Sequence, residues 1–350
     1  MTIELQAGPD DGGRRLDRIL RKSLPDHSLS LIHRLLRQGK VLVDGKSVTP
    51  GYRIQPGNVI QVRIGSREWG VGSGDRETEN GEQGTGRCGV SPLRGGAEDR
   101  RAEAGGETSP HLPYSLLPTP HSPSFIILWR GAGIIVFNKP PGLASHGKNS
   151  LDTLVKAHFA GKLPHSLSFQ PGPLHRLDQP TSGAIAFSET LEGAQMFSRL
   201  LREQKVIKTY LAIVEGAVSG EQVWQDELAR DTGRKKTFAN TERKGQNAVT
   251  VVRGLAGNGA NTRAYSLIEA RILTGRTHQI RAQAAARGHP LAGDLKYGGH
   301  SFSGAWYLHA WKIELEPPPA GFPQPLIAPL PYPFLTQIRA LFGEEKGMGI

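Results

Sequence analysis

The sequence of 350 residues contains one cysteine, Cys88. An internal disulfide and a cysteine zinc cluster are both excluded. No run approaches the roughly 18 apolar residues of a membrane-spanning helix. The opening Met1-Thr2-Ile3-Glu4-Leu5 is neither basic nor followed by an apolar core, so it does not read as a secretory leader. Acidic residues fall short: 32 Asp and Glu stand against 43 Lys and Arg, a formal charge of +11. An excess of that sign suits a polyanionic partner, though many soluble proteins are basic without one. The 12 histidines are scattered without paired ligand spacing, so no metal site is expected. A soluble, cytoplasmic protein is the expectation.

Isoleucine is also missing between Ile64 and Ile126, and that gap divides the chain. Residues 65–122 hold 12 glycines, with 6 Arg against 9 Asp and Glu. Such a stretch cannot bury enough apolar area to offset its ordering entropy, so a disordered linker is expected there. Its glycines have no strand before them and no helix after them, which argues against a phosphate loop. Cys88 lies within this stretch and reads as incidental.

Ahead of the linker, residues 1–64 read as a small α+β module with 11 basic and 6 acidic residues. Leu16, Ile19 and Leu20 share one helical face. Ser30 is a candidate N-cap for a second helix that ends at Gly39. Residues 40–43 then form a strand into an Asp44-Gly45 hairpin turn, and residues 59–64 alternate as another strand. After the linker, residues 123–339 read as the larger unit and 340–350 as a frayed tail. Two apolar strands flank Gly131, and residues 151–159 form a helix. Leu191, Ala194, Phe197, Leu200 and Leu201 fall at helical spacing. Residues 208–216, 248–252 and 264–270 are further strands, with residues 254–261 as a hairpin connection. Arg230-Asp231-Thr232-Gly233-Arg234-Lys235-Lys236 is a basic loop.

The most informative stretch is His175-Arg176-Leu177-Asp178-Gln179-Pro180-Thr181-Ser182-Gly183. A Gln-Pro-Gly-Pro loop signal precedes it, and the apolar run 184–187 follows as a buried strand. Asp178 therefore stands where a loop feeds a strand, a place from which a scaffold can aim one carboxylate into a cleft. A lone Arg-x-Asp is most often a surface ion pair; the nine-residue string is far more specific.

That string resembles the signature of the RluA-type pseudouridine synthases. Asn138-Lys139-Pro140-Pro141-Gly142, Lys208-Thr209-Tyr210-Leu211-Ala212-Ile213-Val214-Glu215-Gly216, Thr274-Gly275-Arg276-Thr277-His278-Gln279-Ile280-Arg281 and Leu308-His309-Ala310 are similar to further elements of that family. Two departures stand out. Gln283 replaces a family His, and Glu316-Pro317 replaces His-Pro. Residues 14–64 resemble the alpha-L RNA-binding motif, except that Leu31 follows Ser30 where an Arg is usual.

The resemblance implies an isomerase that needs no cofactor or metal, on an α+β fold. A mixed, mainly antiparallel sheet with flanking helices would carry the cleft. It makes Asp178 the group that attacks C1′ or removes a sugar proton, and that carboxylate has to stay ionised among RNA phosphates. It makes Arg281 its cationic partner and Tyr210 a base-stacking hydroxyl donor. Arg176 would fill the place the flipped uridine vacates. Arg234 and Lys235 would lie on an arm over RNA. His175, Thr181 and Arg276 join the RNA-binding residues, with Arg18, Arg34, Arg37 and Lys40 as phosphate contacts of the module. On sequence alone Tyr210 is a strand aromatic and the basic loop a solvated turn. A glycosidase would need two paired carboxylates, and one stands in a marked motif. The expected function is a monomeric synthase acting on large-subunit ribosomal RNA. Its rivals are a silent RNA-binding or ribosome-assembly protein on the same fold and a synthase acting on transfer RNA.

Overall fold

The computed structural model describes residues 1–65, 126–163, 166–239, 244–258, 263–302 and 306–344. The expected linker, beyond Gly65, lies outside the described residues, and so does Cys88.

The N-terminal module comprises β1 (Thr2–Gln6), α1 (Leu16–Ser23), α2 (Leu29–Arg37), β2 (Val41–Val43), β3 (Lys46–Ser47) and β4 (Val59–Arg63). Leu16, Ile19 and Leu20 from α1 and Ile32, Leu35 and Leu36 from α2 are buried against the sheet, as the helical spacing requires. Each such side chain contributes about 1.5–3 kcal/mol when fully buried. The hairpin turn is as expected: Asp44 and Gly45 both have positive φ, 49° and 77°. Two readings change. Ser28, not Ser30, caps α2, its hydroxyl accepting from the Leu31 amide at 3.2 Å. The opening residues form β1, paired antiparallel with β4 from Thr2↔Arg63 to Gln6↔Val59. A short terminal strand whose ladder partner is so distant in sequence leaves little local signal.

The larger unit runs β5 (Ile127–Gly131), β6 (Ile134–Lys139), α3 (Leu151–Phe159), β7 (Gly172–Pro173), β8 (Ser182–Ser188), α4 (Leu191–Arg202), β9 (Val206–Glu215), β10 (Glu221–Asp231), β11 (Lys236–Ala239), β12 (Gln246–Gly257), β13 (Tyr265–Ile272), α5 (Gln279–Ala286), β14 (Leu308–Leu315), β15 (Leu326–Ile327) and α6 (Tyr332–Phe342). Its strands pair in the order β11-β10-β12-β13-β9-β14-β8-β6-β5, with β7 on β8 and β15 on β14. The β14–β8 pair is parallel and the other described pairs are antiparallel, so the class is α+β with a mixed sheet.

Helices cover both faces of the sheet. Ile135, Phe137, Ile185, Phe187, Ala212 and Val214 point toward α3 and α5. Their alternating neighbours Ile134, Val136, Ala184 and Ala186 pack under α4, and Leu211 and Ile213 under α6. A strand buried on both faces reads as an unbroken apolar run, which is why residues 134–137 and 184–187 were legible. β10 was not anticipated. Its inward positions are Trp224, Asp226 and Leu228, and the acidic Asp226 breaks the apolar alternation. Residues 254–257 belong to β12 past a bulge, rather than to a loop. Helix α6 extends to Phe342 and buries Phe334 and Ile338, so residues 340–342 are not tail.

Gly183 permits the central parallel contact. It has φ +109°, and a Cβ there would stand 2.2 Å from the Ala310 carbonyl oxygen of β14. No side chain fits where β8 and β14 meet.

The module is docked against the larger unit. Asp11, fully buried, accepts hydrogen bonds from the amides of Gly8, Leu167 and Ser168, each at 2.8 Å, and from Ser166 Oγ at 3.0 Å. Burial opposes its ionisation, but hydrogen bonds led by that of Ser168 outweigh it and hold the carboxyl below its ordinary value. Leu167 packs against the module core, and Lys22 Nζ donates to the Ser168 carbonyl at 2.5 Å.

Candidate active site

Asp178 lies on the loop that enters β8, and three contacts fix that loop. Ser145 Oγ accepts from the Leu177 amide at 3.1 Å and donates to the Leu177 carbonyl at 2.8 Å. Lys139 Nζ donates to the carbonyls of Pro140 (2.9 Å), Leu143 (2.7 Å) and Gln179 (3.0 Å). The Thr181 amide closes the turn onto the Asp178 carbonyl at 3.0 Å. The residues before and after Asp178 are thus each held by the 138–146 segment, which gives that segment a physical role the sequence reading left open. Lys139 is almost wholly buried; burial lowers its pKa to about 7, with the Asp178 carboxylate pulling the other way.

Helix α5 brings Arg281 to the same point. Arg281 Nη1 donates to Asp178 Oδ2 at 2.7 Å. The guanidinium is itself fixed by fully buried Asp294, through Nε–Oδ2 at 2.6 Å and Nη2–Oδ1 at 3.0 Å. It also lies 4.0 Å from the Trp306 ring centroid and 4.7 Å from that of Tyr297. Burial works against the charge of Arg281, but the two carboxylates prevail and raise its pKa. Such a group is a permanent, immobile cation.

A cavity of about 410 Å³ opens beside Asp178. Asp178, Tyr210, Arg281, Arg176, His175, Thr181 and Arg276 all line it. Among the described lining residues Asp178 is the one carboxylate, set among Arg176, Arg202, Lys208, Arg276 and Arg281. A second cavity of about 310 Å³, on which Arg176, Asp178, Arg281, Lys296 and Trp306 also border, continues the cleft. A cationic cleft focused on one carboxylate attracts a polyanion and offers it a single reactive anion. Tyr210 is buried, and burial with the nearby Asp178 charge pushes its phenol well up, so it is a neutral hydroxyl.

The remaining expected residues divide. His175 Nε2 accepts the Ala186 amide at 3.0 Å, and its ring stacks on Phe197. Burial, then the Lys208 charge, lower its pKa to about 3. It therefore borders the cleft as a neutral ring. Thr181 is buried, so its hydroxyl is a wall group rather than an exposed contact. Arg234 and Lys235 sit on the β10–β11 turn, where the Lys235 carbonyl accepts from Lys296 Nζ at 2.6 Å. Arg18, Arg34 and Lys40 are in the module and border neither cavity. Gln283 takes the position of the expected His. Its amide donates to Trp224 O, Asp226 Oδ2 and Ala248 O and accepts from Thr250 Oγ1, so it ties α5 to the sheet.

Four residues that line or brace the site were given no role from the sequence: Asp294, Tyr297, Lys208 and Trp306. Lys208 alternates with Tyr210 on β9 and projects into the same cavity, its pKa lowered by burial to about 8. A buried arginine requires a counter-charge, and that rule applied to Arg281 would have directed attention to Asp294.

The family described as RNA pseudouridylate synthase matches residues 133–286, and the S4 domain family matches residues 14–60. The chain is 27% identical over 339 aligned positions to ribosomal large subunit pseudouridine synthase C of Salmonella typhi, covering 92% of this chain and 91% of the relative. It is 27% identical over 366 positions to ribosomal large subunit pseudouridine synthase D of Neisseria meningitidis serogroup A, covering 99% and 84%. Among solved structures, human RNA pseudouridylate synthase domain containing 4 aligns at 24% identity and a TM-score of 0.49, over 62% of this chain and 92% of that one. No helix among the described residues is long and apolar enough to cross a membrane. Asp178, Tyr210 and Arg281 all fall inside the matched span, whereas Asp294 and Tyr297, which contact Arg281, lie beyond it. The chain carries an RNA pseudouridylate synthase domain over residues 133–286 with an S4 domain ahead of it, and its activity is that of an isomerase acting on RNA.

Proposed function

We propose that the protein converts uridine to pseudouridine in large-subunit ribosomal RNA, with Asp178 as the reacting carboxylate. The observation that carries this reading is the placement of Asp178 as the one carboxylate among the described residues of a cleft lined by five cations, with Arg281 Nη1 at 2.7 Å. The reaction breaks the C1′–N1 bond and forms C1′–C5; N1 gains a proton and C5 loses one, so no oxidant or other reactant is consumed. Asp178 either attacks C1′ or removes a sugar proton, and both routes need an ionised, aimed carboxylate. Tyr210 stacks on the uracil with its hydroxyl protonated. Arg176, exposed at the cleft, enters the helical stack in place of the flipped nucleotide. Arg276 meets the RNA backbone at the cleft, and Arg234 and Lys235 meet it from the hairpin.

Ribosomal RNA is the substrate in this reading because both curated relatives bear that substrate in their names. Residues 1–64 supply affinity through Arg18, Arg34 and Lys40, residues 123–339 supply the chemistry, and the protein works as a cytoplasmic monomer. A silent RNA-binding role is disfavoured because Asp178 and Arg281 are held in a geometry that RNA binding alone does not require. The test is Asp178→Asn, a near-isostere that can be neither nucleophile nor base, assayed by tritium release from RNA labelled at uracil C5. Activity should vanish while the fold persists; activity within about tenfold of wild type would remove Asp178 from the chemistry. Pseudouridine mapping in ribosomal and transfer RNA, with and without the protein, decides the substrate.

A further inference from the structure

His278 and Tyr297 form an arrangement around Asp178 that the reaction chemistry does not call for. His278 Nδ1 is 2.8 Å from the Tyr297 hydroxyl, and its Nε2 is 3.7 Å from Asp178 Oδ2. The same Tyr297 oxygen accepts the buried Thr237 amide of β11 at 2.9 Å. His278 has φ +54°, a left-handed conformation uncommon for a residue with a side chain. It occupies the N-cap position of α5, yet its side chain makes no capping hydrogen bond. The strained backbone therefore serves to aim the ring, not to cap the helix.

The hydrogen positions follow from the partners. Asp178 is an acceptor, so Nε2 has to carry the proton that faces it. Nδ1 is then bare and accepts from the Tyr297 hydroxyl, whose oxygen is already receiving the Thr237 amide. The opposite tautomer would turn a lone pair toward the carboxylate and take the imidazole acceptor away from the tyrosine proton. The two hydrogen bonds thus run one way, from the Thr237 amide to Tyr297 and from Tyr297 to His278, and aligned hydrogen bonds of this kind strengthen one another, while His278 Nε2 stands 3.7 Å from Asp178 Oδ2.

The hairpin end of this chain carries the basic turn. Lys235 and Lys236 directly precede Thr237; Lys296 Nζ donates to the Lys235 carbonyl, and the Lys236 ammonium lies 4.9 Å from the Tyr297 ring centroid. A shift of the β10–β11 hairpin therefore shifts Tyr297.

We infer that His278 is a positioning residue for Asp178, held in its Nε2–H form by Tyr297, and that Tyr297 couples the seating of the basic hairpin on RNA to the aim of the carboxylate. This rests on the pseudouridine-forming reading of the site. RNA drawn against the hairpin presses Tyr297 onto His278 and closes the 3.7 Å gap to Asp178.

The test uses the full chain and an unmodified large-subunit ribosomal RNA transcript. Tyr297→Phe keeps the ring and removes the hydroxyl. The single-turnover rate at saturating RNA should fall roughly ten- to hundredfold, the cost of a carboxylate misaimed by about an ångström, while RNA affinity changes by less than about threefold. Imidazole ¹⁵N resonances report the tautomer directly, with His278 assigned by its loss in His278→Asn. Wild type should show Nε2–H, and Tyr297→Phe a mixture of tautomers. His278→Asn, whose side chain tolerates the left-handed backbone, should reproduce the rate loss even if Tyr297→Phe folds poorly. A wild-type His278 that carries its proton on Nδ1, or a rate within about twofold of wild type in either folded variant, overturns the inference. Failure of the parent reading is separate, since it would appear as an active Asp178→Asn protein.

Discussion

Arg281 divides its guanidinium between two carboxylates: Nε and Nη2 go to Asp294, at 2.6 and 3.0 Å, and Nη1 goes to Asp178, at 2.7 Å. Asp294 has no exposure, whereas the Asp178 side chain keeps 26% of its own. The buried acid is the anchor, and the exposed one faces the cleft. The cation between them is shared, so the aim of Asp178 depends on a residue 13 positions beyond Arg281.

Asp294→Asn tests that anchor. It leaves Arg281 buried with half its charge compensation gone, and breaking a buried pair costs about 3–5 kcal/mol. Urea unfolding should show a loss of that order. In protein that remains folded, kcat should drop more than tenfold with KM little changed, because the lost contact orients the reacting group rather than the RNA. An unchanged unfolding midpoint would show that Asp294 contributes no anchoring.

Lys208→Met addresses the cation beside Tyr210. The ammonium borders the cavity, and its lowered pKa, about 8, reflects burial without a compensating carboxylate. A phosphate of the bound strand would supply that compensation. RNA affinity should weaken, and the slope of log affinity against log salt should become shallower by roughly 0.7–0.9, the contribution of one phosphate contact. A slope identical to wild type would mean that Lys208 meets no phosphate.

Three histidines set an acid limit on stability. Burial lowers His309 to about 4 and His278 to about 4, and burial with the Lys208 charge lowers His175 to about 3. Unfolded, each titrates near about 6.5. Below that value the unfolded chain binds protons that the folded chain refuses. Stability is therefore complete above about pH 6.5 and falls as the pH drops toward about 4, by roughly 1.4 kcal/mol per pH unit for each histidine. Urea midpoints across this range should fall with acid. His309→Asn should make the dependence shallower by one proton; an equal dependence would show that His309 does not titrate on unfolding.

The module dock is tested at Asp11 and Leu167. Asp11→Ala strands the Leu167 and Ser168 amides, at about 1–3 kcal/mol for each left unsatisfied. Leu167→Ser withdraws the side chain that packs on the module core. Calorimetry should show one unfolding transition in wild type and two in the double variant. RNA affinity should fall while the rate at saturating RNA stays within about twofold. A single transition in the double variant would mean that the two units unfold together for some other reason.

What the sequence determined by itself was local. The apolar face of α1, the boundaries of α3, the Asp44-Gly45 turn and the run into β8 follow from spacing and turn chemistry within a few residues. The motif around Asp178 marked the proposed reacting group on the same local terms, and the chain's charge pointed to a polyanion. Only the tertiary structure decided what surrounds that group. Ser145 reaches Leu177 across 32 residues, Lys139 reaches Gln179 across 40, and Asp11 reaches Ser168 across 157. Tyr297 joins Thr237 to His278 over separations of 60 and 19 residues. No periodicity encodes such pairs, because each depends on where the folded sheet and its helices bring distant backbone together. Asp294 shows the division most plainly. In sequence it is an acid in a glycine-rich turn, and in the fold it is the buried charge that keeps Arg281 aimed at Asp178.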